Sequence, residues 1–373
     1  MIKILFFIHD LGQGGAEKVL VNLVNNMDSK KFDISVMSIF GGGVNEQFLK
    51  PHIKYSSVFK KAFPANSKIM KLFTPKFLHK FCIKEHYDIE VSYLEGPSAR
   101  IISGCPNKDT KLVSWIHVEQ HSMKVLSSAF KNEKEAINCY NKFDRTVCVS
   151  EFVKNDFSTI LNFKKPIGVL YNTVESDFIR KSAEDADISF VDDDRLRLIA
   201  VGTLKQSKGY VRLLNVLKKL NDENYPVHLY ILGIGPMQEE IEANIQKDNM
   251  NKYVTLLGYD TNPYKYVAKS DLFVCASFAE GFSTAATEAL ILGTPVVTVE
   301  VSGMKEMLGE NGEYGIVTEN DENALYEGIK KIITTPGMLE DYAERAWKRG
   351  KCFSTENTTK AVEKVLSEIL KQE

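Results

Sequence analysis

The sequence predicts an α/β protein of two Rossmann-like domains, each built on a parallel β-sheet. The chain has 373 residues, which is enough for two or three domains. Short apolar runs alternate with amphipathic stretches, as expected for parallel strands that helices cover on both faces. This alternation starts again near the middle of the chain, which predicts a second sheet.

The first half supplies the first predicted domain. Residues 16–27 carry apolar side chains at helical spacing, which predicts a helix after the first strand. Ser150 follows a later strand and can cap the next helix, because its hydroxyl accepts a hydrogen bond from a free N–H group. The predicted strands are residues 3–9, 32–40, 88–94, 111–118, 144–150 and 167–172.

The second half repeats the pattern. Its predicted strands are residues 196–202, 227–233, 254–258, 271–277 and 294–299, and its predicted helices are 208–222, 236–245 and 284–292. A weakly patterned acidic stretch places the seam within residues 172–195. We therefore predict domains at 1–175 and 176–354, with a C-terminal helix at 355–373 that packs back on the first domain. The cleft between two such domains is the expected ligand site.

Charge is divided unevenly between the two halves. Residues 1–175 hold 24 Lys and Arg against 17 Asp and Glu, a balance of +7. Residues 176–373 hold 23 against 32, a balance of −9. This asymmetry indicates that the two domains bind different partners.

Composition excludes several classes of protein. Hydrophobic residues make up 44% and charged residues 26%, an ordinary globular balance. The six cysteines are scattered without a CxxC pair, which predicts buried thiols in a reducing compartment. The first apolar run ends at His9 and Asp10, too early for a secretory signal, and no run approaches the roughly 18 residues that span a bilayer. We expect a soluble, cytoplasmic protein.

The loop after the first strand, residues 11–17, contains Gly14 and Gly15 beside a helix start. Glycines there let backbone N–H groups approach an anion at the helix N-terminus. The loop lacks the GxGxxG pattern of dinucleotide enzymes, and a tight turn without a ligand is the alternative.

Two further strand ends carry candidate residues. Lys208 ends the loop GTLKQSKG before a helix, where it can neutralise a phosphate or remain a solvated surface lysine. His117 lies at the carboxyl end of the strand at 111–118, where it can contact a ligand; the alternative is a purely structural histidine. The segment HVEQH at 117–121 lacks the HExxH spacing of zinc peptidases, so we predict no metal site.

The segment ASFAEGFSTAATEAL at 276–290 places two carboxylates around a helix start. Glu280 lies in the loop, and Glu288 lies about one turn inside the helix with its side chain leaning toward the N-terminus. Carboxylates accept hydrogen bonds from sugar hydroxyls, and free N–H groups at a helix start bind a diphosphate. The alternative is that Glu280 caps the helix and Glu288 lies on the surface. The helix entry consists of Gly281, Phe282, Ser283 and Thr284.

These segments resemble those of the retaining GT-B glycosyltransferases of family 4, over nearly the whole chain. The most specific element is the E-x7-E motif, present as EGF-x6-EAL from Glu280 to Glu288. Further matching segments are GGAE, WIH, CVSEF-x-K, YN-x-V, G-x-L-x3-KG, LGIGP and LGTPVV. The resemblance implies the GT-B fold, with two Rossmann-like domains facing each other across a cleft. It implies that residues 1–175 bind the acceptor and residues 176–354 bind the donor.

The resemblance also implies roles for individual residues. Glu280 would hold hydroxyls of the donor sugar, Glu288 the ribose hydroxyls, and Lys208 the diphosphate. His117 would contact the donor sugar near the reacting carbon, so the implied catalytic residues are His117, Lys208 and Glu280. Such enzymes need neither a metal nor a cofactor, because the nucleotide sugar is a substrate. The implied donor-binding residues are Gly14, Gly15, Thr203, Lys208, Gly281, Phe282, Ser283, Thr284 and Glu288.

One position departs from the family pattern. Thr203 stands where the family usually has Arg, and it cannot supply a guanidinium group. A hydrogen bond to a charged group contributes about 1.5 to 3 kcal/mol, so we expect donor binding to be weaker by roughly ten-fold or more. Lys205, two positions along, is the candidate substitute.

Residues 50–84 contain nine lysines, no acidic residue and many aromatic side chains. A basic amphipathic stretch of this kind predicts binding to an anionic membrane surface. The alternative is a helix that packs on the first sheet while its lysines stay solvated. Nucleic acid is not an expected partner, because no nucleic-acid-binding motif is present.

We therefore expect a retaining glycosyltransferase that moves a hexose or N-acetylhexosamine from a UDP-sugar to a hydroxyl of a saccharide or lipid-linked saccharide. The expected pathway is cell-surface polysaccharide or glycan biosynthesis, such as capsule or lipopolysaccharide, at the inner membrane face of a bacterium. The alternatives are a degenerate, non-catalytic GT-B partner subunit, or another GT-B enzyme such as a nucleotide-sugar epimerase.

Overall fold

The computed structural model describes residues 1–188, 190–191, 193–280 and 282–371. The chain forms two compact units, which we number in chain order. Unit 1 comprises Met1–Val174 together with Thr355–Glu373, and unit 2 comprises Glu175–Ser354. Each unit is built around one parallel sheet, which confirms the predicted α/β fold class.

The sheet of unit 1 consists of β1 (Ile2–Ile8), β2 (Phe32–Phe40), β3 (Lys54–Phe59), β4 (Ile89–Tyr93), β5 (Lys111–Ile116), β6 (Arg145–Cys148) and β7 (Ile167–Val169). Among the described residues, these seven strands are all parallel, in the order β3-β2-β1-β4-β5-β6-β7. The central register pairs Ile4 with Ile34 on one side and with Ile89 on the other. These side chains are buried, so the core lies along β1 and its neighbours.

The helices of unit 1 are α1 (Gly15–Asn26), α2 (Asn66–Leu72), α3 (Pro75–Cys82), α4 (Pro97–Ile102), α5 (Met123–Leu126), α6 (Glu133–Tyr140) and α7 (Glu151–Leu161). The Ser150 hydroxyl accepts a hydrogen bond from the Val153 N–H at 3.1 Å, so the predicted cap of α7 is present. Among the described residues, no helix is both long and apolar enough to cross a membrane.

The basic segment at residues 50–84 does not form one helix. It forms the edge strand β3 followed by the short helices α2 and α3. Lys54 and Ser56 are exposed on β3 and interrupt its apolar pattern, which is why the sequence did not predict a strand there. Charged residues on an edge strand are common, because they discourage pairing with another chain. Leu78 is buried and attaches α3 to unit 1.

The sheet of unit 2 consists of β8 (Leu196–Val201), β9 (Val227–Leu232), β10 (Val254–Gly258), β11 (Leu272–Cys275), β12 (Val296–Val299) and β13 (Ile316–Thr318). Among the described residues, these six parallel strands follow the order β10-β9-β8-β11-β12-β13. The edge strand β13 has three residues and was not predicted, because so short a run leaves little pattern.

The helices of unit 2 are α8 (Ser176–Ala183), α9 (Tyr210–Asp222), α10 (Gln238–Lys247), α11 (Tyr264–Ala268), α12 (Thr284–Leu292), α13 (Met304–Leu308), α14 (Glu322–Thr334) and α15 (Met338–Gly350). Helix α12 has the predicted bounds. Ala286 and Ala289 are fully buried, and such small side chains let α12 pack closely against α15.

The C-terminal helix α16 (Thr355–Ile369) belongs to unit 1, where it packs against α1. The Glu363 carboxylate accepts a hydrogen bond from the Asp28 N–H at 2.7 Å. At the start of the helix, the Thr355 hydroxyl donates to the Val174 carbonyl at 2.8 Å. The prediction of buried thiols is confirmed for Cys139, Cys148 and Cys275. It is wrong for Cys352, shortly before α16, which is exposed, while Cys82 and Cys105 are half-buried.

Candidate functional site

Two loops of unit 2 lie side by side, because β8 and β11 pair in the sheet. The loop after β8 covers residues 202–209, and the loop after β11 begins at residue 276. The Phe278 N–H donates to the Ser207 carbonyl at 2.7 Å and joins the two loops. Gly209 has φ +67°, and a Cβ there would lie 2.0 Å from the Ala276 carbonyl oxygen. This close approach of two backbones therefore requires glycine.

Lys208 and Glu280 form an ion pair between these loops. The Lys208 ammonium lies 2.5 Å from Glu280 Oε1, and their side chains are only 22% and 11% exposed. The Ser277 hydroxyl donates to the same carboxylate oxygen at 2.6 Å. The interpretation of Lys208 as a solvated surface lysine is therefore wrong. Together with Ser283, Lys208 and Glu280 line a small cavity.

Arg212 holds the loop after β11 in place. It lies in the first turn of α9, is almost fully buried, and donates from Nη2 to the carbonyl groups of Ala276 and Ser277. Its Nη1 donates to Asn320 Oδ1 at 2.8 Å, and its guanidinium lies 4.2 Å from the centre of the Phe278 ring. Arg212 therefore sets the path of the chain that leads to Glu280.

The N-terminus of α12 opens at the end of this loop. Ser283 caps the helix, since its hydroxyl accepts a hydrogen bond from the Ala286 N–H at 3.4 Å, so Glu280 is not the cap. Phe282 is buried against Phe353, with ring centres 5.9 Å apart. Thr284 is half-buried in the first turn. Gly281 lies outside the described residues.

Glu288 lies one turn inside α12 and is 8% exposed. The Tyr264 hydroxyl of α11 donates to its Oε1 at 3.4 Å. The alternative that Glu288 is a surface residue is therefore wrong. A largely buried carboxylate near the N-terminus of a helix can accept hydrogen bonds from hydroxyl groups, which are uncharged donors.

Thr203 and Lys205 lie in the same loop as Lys208 but are exposed. The Lys205 N–H donates to the Thr203 carbonyl at 2.8 Å, which forms a tight turn before Lys208. Among the described residues, no acidic side chain forms an ion pair with Lys205. Its ammonium group is therefore free to act as a second cation at this loop.

The loop after β1 in unit 1 contains Gly14 and Gly15. Gly14 precedes α1 with extended backbone, and a Cβ there would lie 1.9 Å from the Glu17 carboxylate. Gly15 is exposed, and the space around its Cβ position is open, which leaves room for a ligand beside the start of α1.

His117 follows β5 at the same edge of the sheet as the loop after β1. It is 5% exposed, and its Nε2 is buried with no hydrogen-bond partner among the described residues. Its ring lies 4.6 Å from that of Tyr93 and 6.3 Å from that of Trp115, measured between ring centres. Burial lowers the pKa of His117 to about 3, so the imidazole is neutral at physiological pH.

Glu95 supports the backbone at His117. Its Oε2 accepts a hydrogen bond from the His117 N–H at 3.0 Å, and burial raises the pKa of its carboxyl group. The residue before it, Leu94, has φ +130°, a conformation that is strained for leucine. Backbone strain of this kind concentrates at functional sites.

The sequence did not single out four of these supporting residues: Ser277, Arg212, Tyr264 and Glu95. Tyr264 and Glu95 act through contacts with residues more than 20 positions away in the chain, which no local pattern reveals. Ser277 contacts Glu280 only three residues along, but nothing in the local pattern marked it. Arg212 did carry a signal, because a cation in the first turn of a helix opposes the helix dipole. An arginine there indicates a tertiary contact that outweighs this cost.

Sequence comparison covers both units. Residues 13–178 match the family Glycosyltransferase Family 4, and residues 181–349 match Glycosyl transferases group 1. The chain belongs to the GT-B glycosyltransferases of family 4. A relative from Campylobacter jejuni, N-acetylgalactosamine-N,N'-diacetylbacillosaminyl-diphospho-undecaprenol 4-alpha-N-acetylgalactosaminyltransferase, is 28% identical over 369 residues. The alignment covers 95% of this chain and 96% of that protein.

Other proteins also match along nearly the whole chain. A second Campylobacter jejuni enzyme, GalNAc-alpha-(1->4)-GalNAc-alpha-(1->3)-diNAcBac-PP-undecaprenol alpha-1,4-N-acetyl-D-galactosaminyltransferase, is 24% identical and covers 99% of each chain. The crystal structure of the Anabaena protein HepE in complex with UDP has a TM-score of 0.79 at 19% identity, covering 98% of this chain and 100% of that one. A glycosyltransferase from Rickettsia africae has a TM-score of 0.78 at 16% identity and covers 100% of both chains. These two structures show that the fold is shared.

Proposed function

We propose that this chain is a retaining glycosyltransferase that moves a hexose or an N-acetylhexosamine from a UDP-sugar to a hydroxyl of a saccharide or lipid-linked saccharide. The observation that carries the proposal is the segment 276–292, which presents Glu280, Glu288 and a helix N-terminus beside Lys208. The two Campylobacter jejuni relatives act, by their names, on undecaprenol-diphosphate-linked saccharides, and the HepE crystal contains UDP.

In this proposal, unit 2 binds the donor. Lys208 and the free N–H groups of Ser283 and Thr284 hold the diphosphate, because the helix N-terminus and the ammonium both carry positive charge. Glu288 accepts hydrogen bonds from the ribose hydroxyls, and Glu280 accepts them from the sugar. Further donor contacts come from Thr203, Gly281 and Phe282 in unit 2 and from Gly14 and Gly15 in unit 1.

The reaction follows from these contacts. The diphosphate leaves as an anion that Lys208 and the backbone N–H groups stabilise. The anomeric carbon gains positive charge, and the acceptor hydroxyl attacks from the face that the diphosphate leaves, so the configuration is retained. The departing phosphate takes the proton of that hydroxyl. His117 contributes as a neutral imidazole whose unpaired Nε2 can hydrogen-bond a hydroxyl of the donor sugar.

We propose that the reaction needs no metal ion, since cationic groups of the chain already neutralise the diphosphate. Among the described residues, two groups of three side chains each could hold a metal ion. They are His79, Glu90 and Cys105, and Glu119, His121 and Asp156. Activity that survives dialysis against a chelator would support the proposal, whereas loss that a divalent cation restores would contradict it.

The direct test of the proposed function is a transfer assay with purified protein. UDP-, GDP- and ADP-sugars are combined with undecaprenol-diphosphate-linked and free saccharide acceptors, and products are analysed by mass spectrometry and NMR. We expect transfer of one sugar with the donor's anomeric configuration. Conversion of the donor without an acceptor would indicate an epimerase instead. No turnover with any pair, despite donor binding, would favour a non-catalytic partner subunit.

We also propose that unit 1 binds an anionic membrane surface, through what we call the α2–α3 surface. It consists of five exposed apolar side chains: Ile69, Leu72, Phe73, Phe77 and Phe81. The rings of Phe73 and Phe77 stack with centres 4.9 Å apart, and those of Phe77 and Phe81 lie 6.4 Å apart. A continuous exposed apolar patch of this kind marks an interaction site.

The charge around this surface favours an anionic partner. Five lysines, Lys68, Lys71, Lys76, Lys80 and Lys84, share the segment with these aromatic side chains, and no acidic residue interrupts it. Anionic lipids attract such lysines by about 1 kcal/mol each, while the phenylalanines can enter the headgroup region. Arg100 holds α2 in place, since its guanidinium donates to the carbonyl groups of Met70 and Phe73 at 2.8 and 2.7 Å.

Sedimentation with liposomes tests this surface. We expect the wild-type chain to pellet with phosphatidylglycerol-containing liposomes at low salt. The double variant that carries Phe77→Ser and Phe81→Ser should remain in the supernatant. Phe152→Ser is the matched control, because Phe152 in α7 and Phe77 are each 51% exposed. Equal recovery of wild type with and without liposomes would contradict the proposal. We propose that the enzyme acts in the cytoplasm at the inner membrane face, a location that the α2–α3 surface and a lipid-linked acceptor both favour.

A further inference from the structure

The ion pair between Lys208 and Glu280 joins two groups that the proposed function assigns to different parts of the donor. Lys208 is assigned to the diphosphate and Glu280 to the sugar. In the structure they neutralise each other at 2.5 Å in a largely desolvated setting. A diphosphate that binds Lys208 must therefore share or displace the carboxylate of Glu280.

We propose that this ion pair makes the site discriminate between the intact nucleotide sugar and the free nucleoside diphosphate. The inference rests on the proposed donor site. When UDP alone binds, its diphosphate and the Glu280 carboxylate compete for the ammonium group of Lys208. The interaction of Glu280 with Lys208, its only charged partner among the described residues, is then weakened. Leaving a partly buried charge unpaired opposes binding.

The intact donor compensates for this loss. The contacts to Glu280 from Lys208 and Ser277 converge on Oε1. The second carboxylate oxygen, Oε2, has no hydrogen-bond partner among the described residues, so it can accept a sugar hydroxyl. Sugar hydroxyls thus stabilise the Glu280 charge that the diphosphate has deprived of its cation. After transfer the sugar has left, and Lys208 returns to Glu280 as the product departs.

Several contacts keep the two groups close enough to compete. The Phe278 N–H bonds to the Ser207 carbonyl, one residue before Lys208. Arg212 holds the carbonyl groups of Ala276 and Ser277, and Gly209 permits the backbones to touch. Because both loops are fixed, the pair cannot be relieved by drawing one loop away from the other.

The test is isothermal titration of wild type and Glu280→Gln with UDP and with a panel of UDP-sugars. Glutamine keeps the shape and accepts the Ser277 hydrogen bond but has no charge to compete for Lys208. We expect UDP to bind Glu280→Gln about ten-fold more tightly than wild type, as for loss of one competing charged hydrogen bond. We expect UDP-sugar affinity to stay equal or fall, so the preference for the intact donor decreases.

Two controls separate this effect from others. Glu300→Gln removes the same charge from unit 2 at an exposed pair with Lys305, and should leave both affinities within two-fold. Glu288→Gln removes the proposed ribose contact, and should weaken both ligands together. Melting curves confirm that each variant is folded.

The outcomes distinguish this inference from the proposed function. If UDP binds Glu280→Gln as weakly as wild type or more weakly, the carboxylate positions Lys208 rather than competing for it, and the inference is wrong although the donor site stands. If neither protein binds UDP or any UDP-sugar, both are contradicted. If UDP binds Glu280→Gln more tightly than wild type, and neither Glu300→Gln nor Glu288→Gln shows this gain, the inference and the proposed function are both supported.

Discussion

Substitution of Gly209 tests the packing that brings the two donor loops together. A Cβ at this position would lie 2.0 Å from the Ala276 carbonyl oxygen, so one of the two backbones must move. The left-handed φ of +67° adds strain for any residue with a side chain. Overpacking of this kind costs about 1–3 kcal/mol, and a left-handed alanine about 1–2 kcal/mol. Gly209→Ala should therefore destabilise unit 2 by about 2–5 kcal/mol.

Gly337→Ala is the matched control. Gly337 precedes α15 in unit 2 with φ +76°, and no atom lies within 4 Å of its Cβ position. It therefore carries the left-handed strain without the collision, and should cost about 1–2 kcal/mol. One kcal/mol lowers the melting midpoint of a unit of this size by about 2–4 °C. We expect a decrease of roughly 10 °C for Gly209→Ala and roughly 4 °C for Gly337→Ala.

The assay can follow unit 2 alone. The chain has two tryptophans, Trp115 in unit 1 and Trp347 in unit 2. In a Trp115→Phe background, the fluorescence of Trp347 reports the unfolding of unit 2. UDP-sugar affinity is measured in parallel and should fall only for Gly209→Ala, because the collision moves the whole loop that carries Lys208 out of its place in the proposed donor site. Equal melting midpoints and equal affinities for the two variants would refute the reasoning.

Three further predictions concern single side chains. Arg212→Lys keeps the charge but cannot reach both carbonyl groups, so UDP-sugar affinity measured by titration should fall about ten-fold; unchanged affinity would contradict this. His117 has a pKa of about 3 in the folded chain against about 6.5 unfolded, so the unfolded state alone binds its proton between these values. From pH 6 to 4, the free energy of unfolding of wild type, measured in urea, should therefore fall by roughly 1.4 kcal/mol per pH unit more than that of His117→Gln. The same pH dependence in both proteins would contradict this prediction. Arg100→Met removes the ion-pair partner of Glu135 and the donor to two carbonyl groups, and should destabilise unit 1 by about 3 kcal/mol, whereas Lys54→Met at an exposed pair should cost less; the two are compared by urea unfolding.

Local patterns in the sequence were sufficient for most of the strands and helices. Buried strands such as β1 and β9 consist mostly of apolar residues, and α12 begins at Thr284, in the helix entry that the sequence indicates. Strand β3 was missed because its alternating lysine and serine residues resemble a surface segment. Its place in the sheet depends on pairing with β2, which is a tertiary contact.

In the candidate site, too, local pattern was informative and tertiary contacts were not predicted. Lys208, Glu280, Glu288 and His117 were singled out because each lies at the carboxyl end of a strand or the start of a helix. Their partners were not foreseen. Lys208 and Glu280 are 72 residues apart in the chain, and their pairing depends on β8 and β11 being neighbours. The family resemblance implied which part of the donor each would bind, but not that Lys208 and Glu280 would bind each other.

The most direct test of the central claim is titration of wild type and Glu288→Ala with UDP, GDP and ADP and their sugars. The account predicts that one nucleotide and its sugars bind, and that Glu288→Ala weakens them about ten-fold by removing the ribose contact. Glu300→Ala, at an exposed pair, should bind like wild type. Absence of nucleotide and nucleotide-sugar binding to the wild type at millimolar concentration, or equal affinity of Glu288→Ala, would contradict a donor site on unit 2.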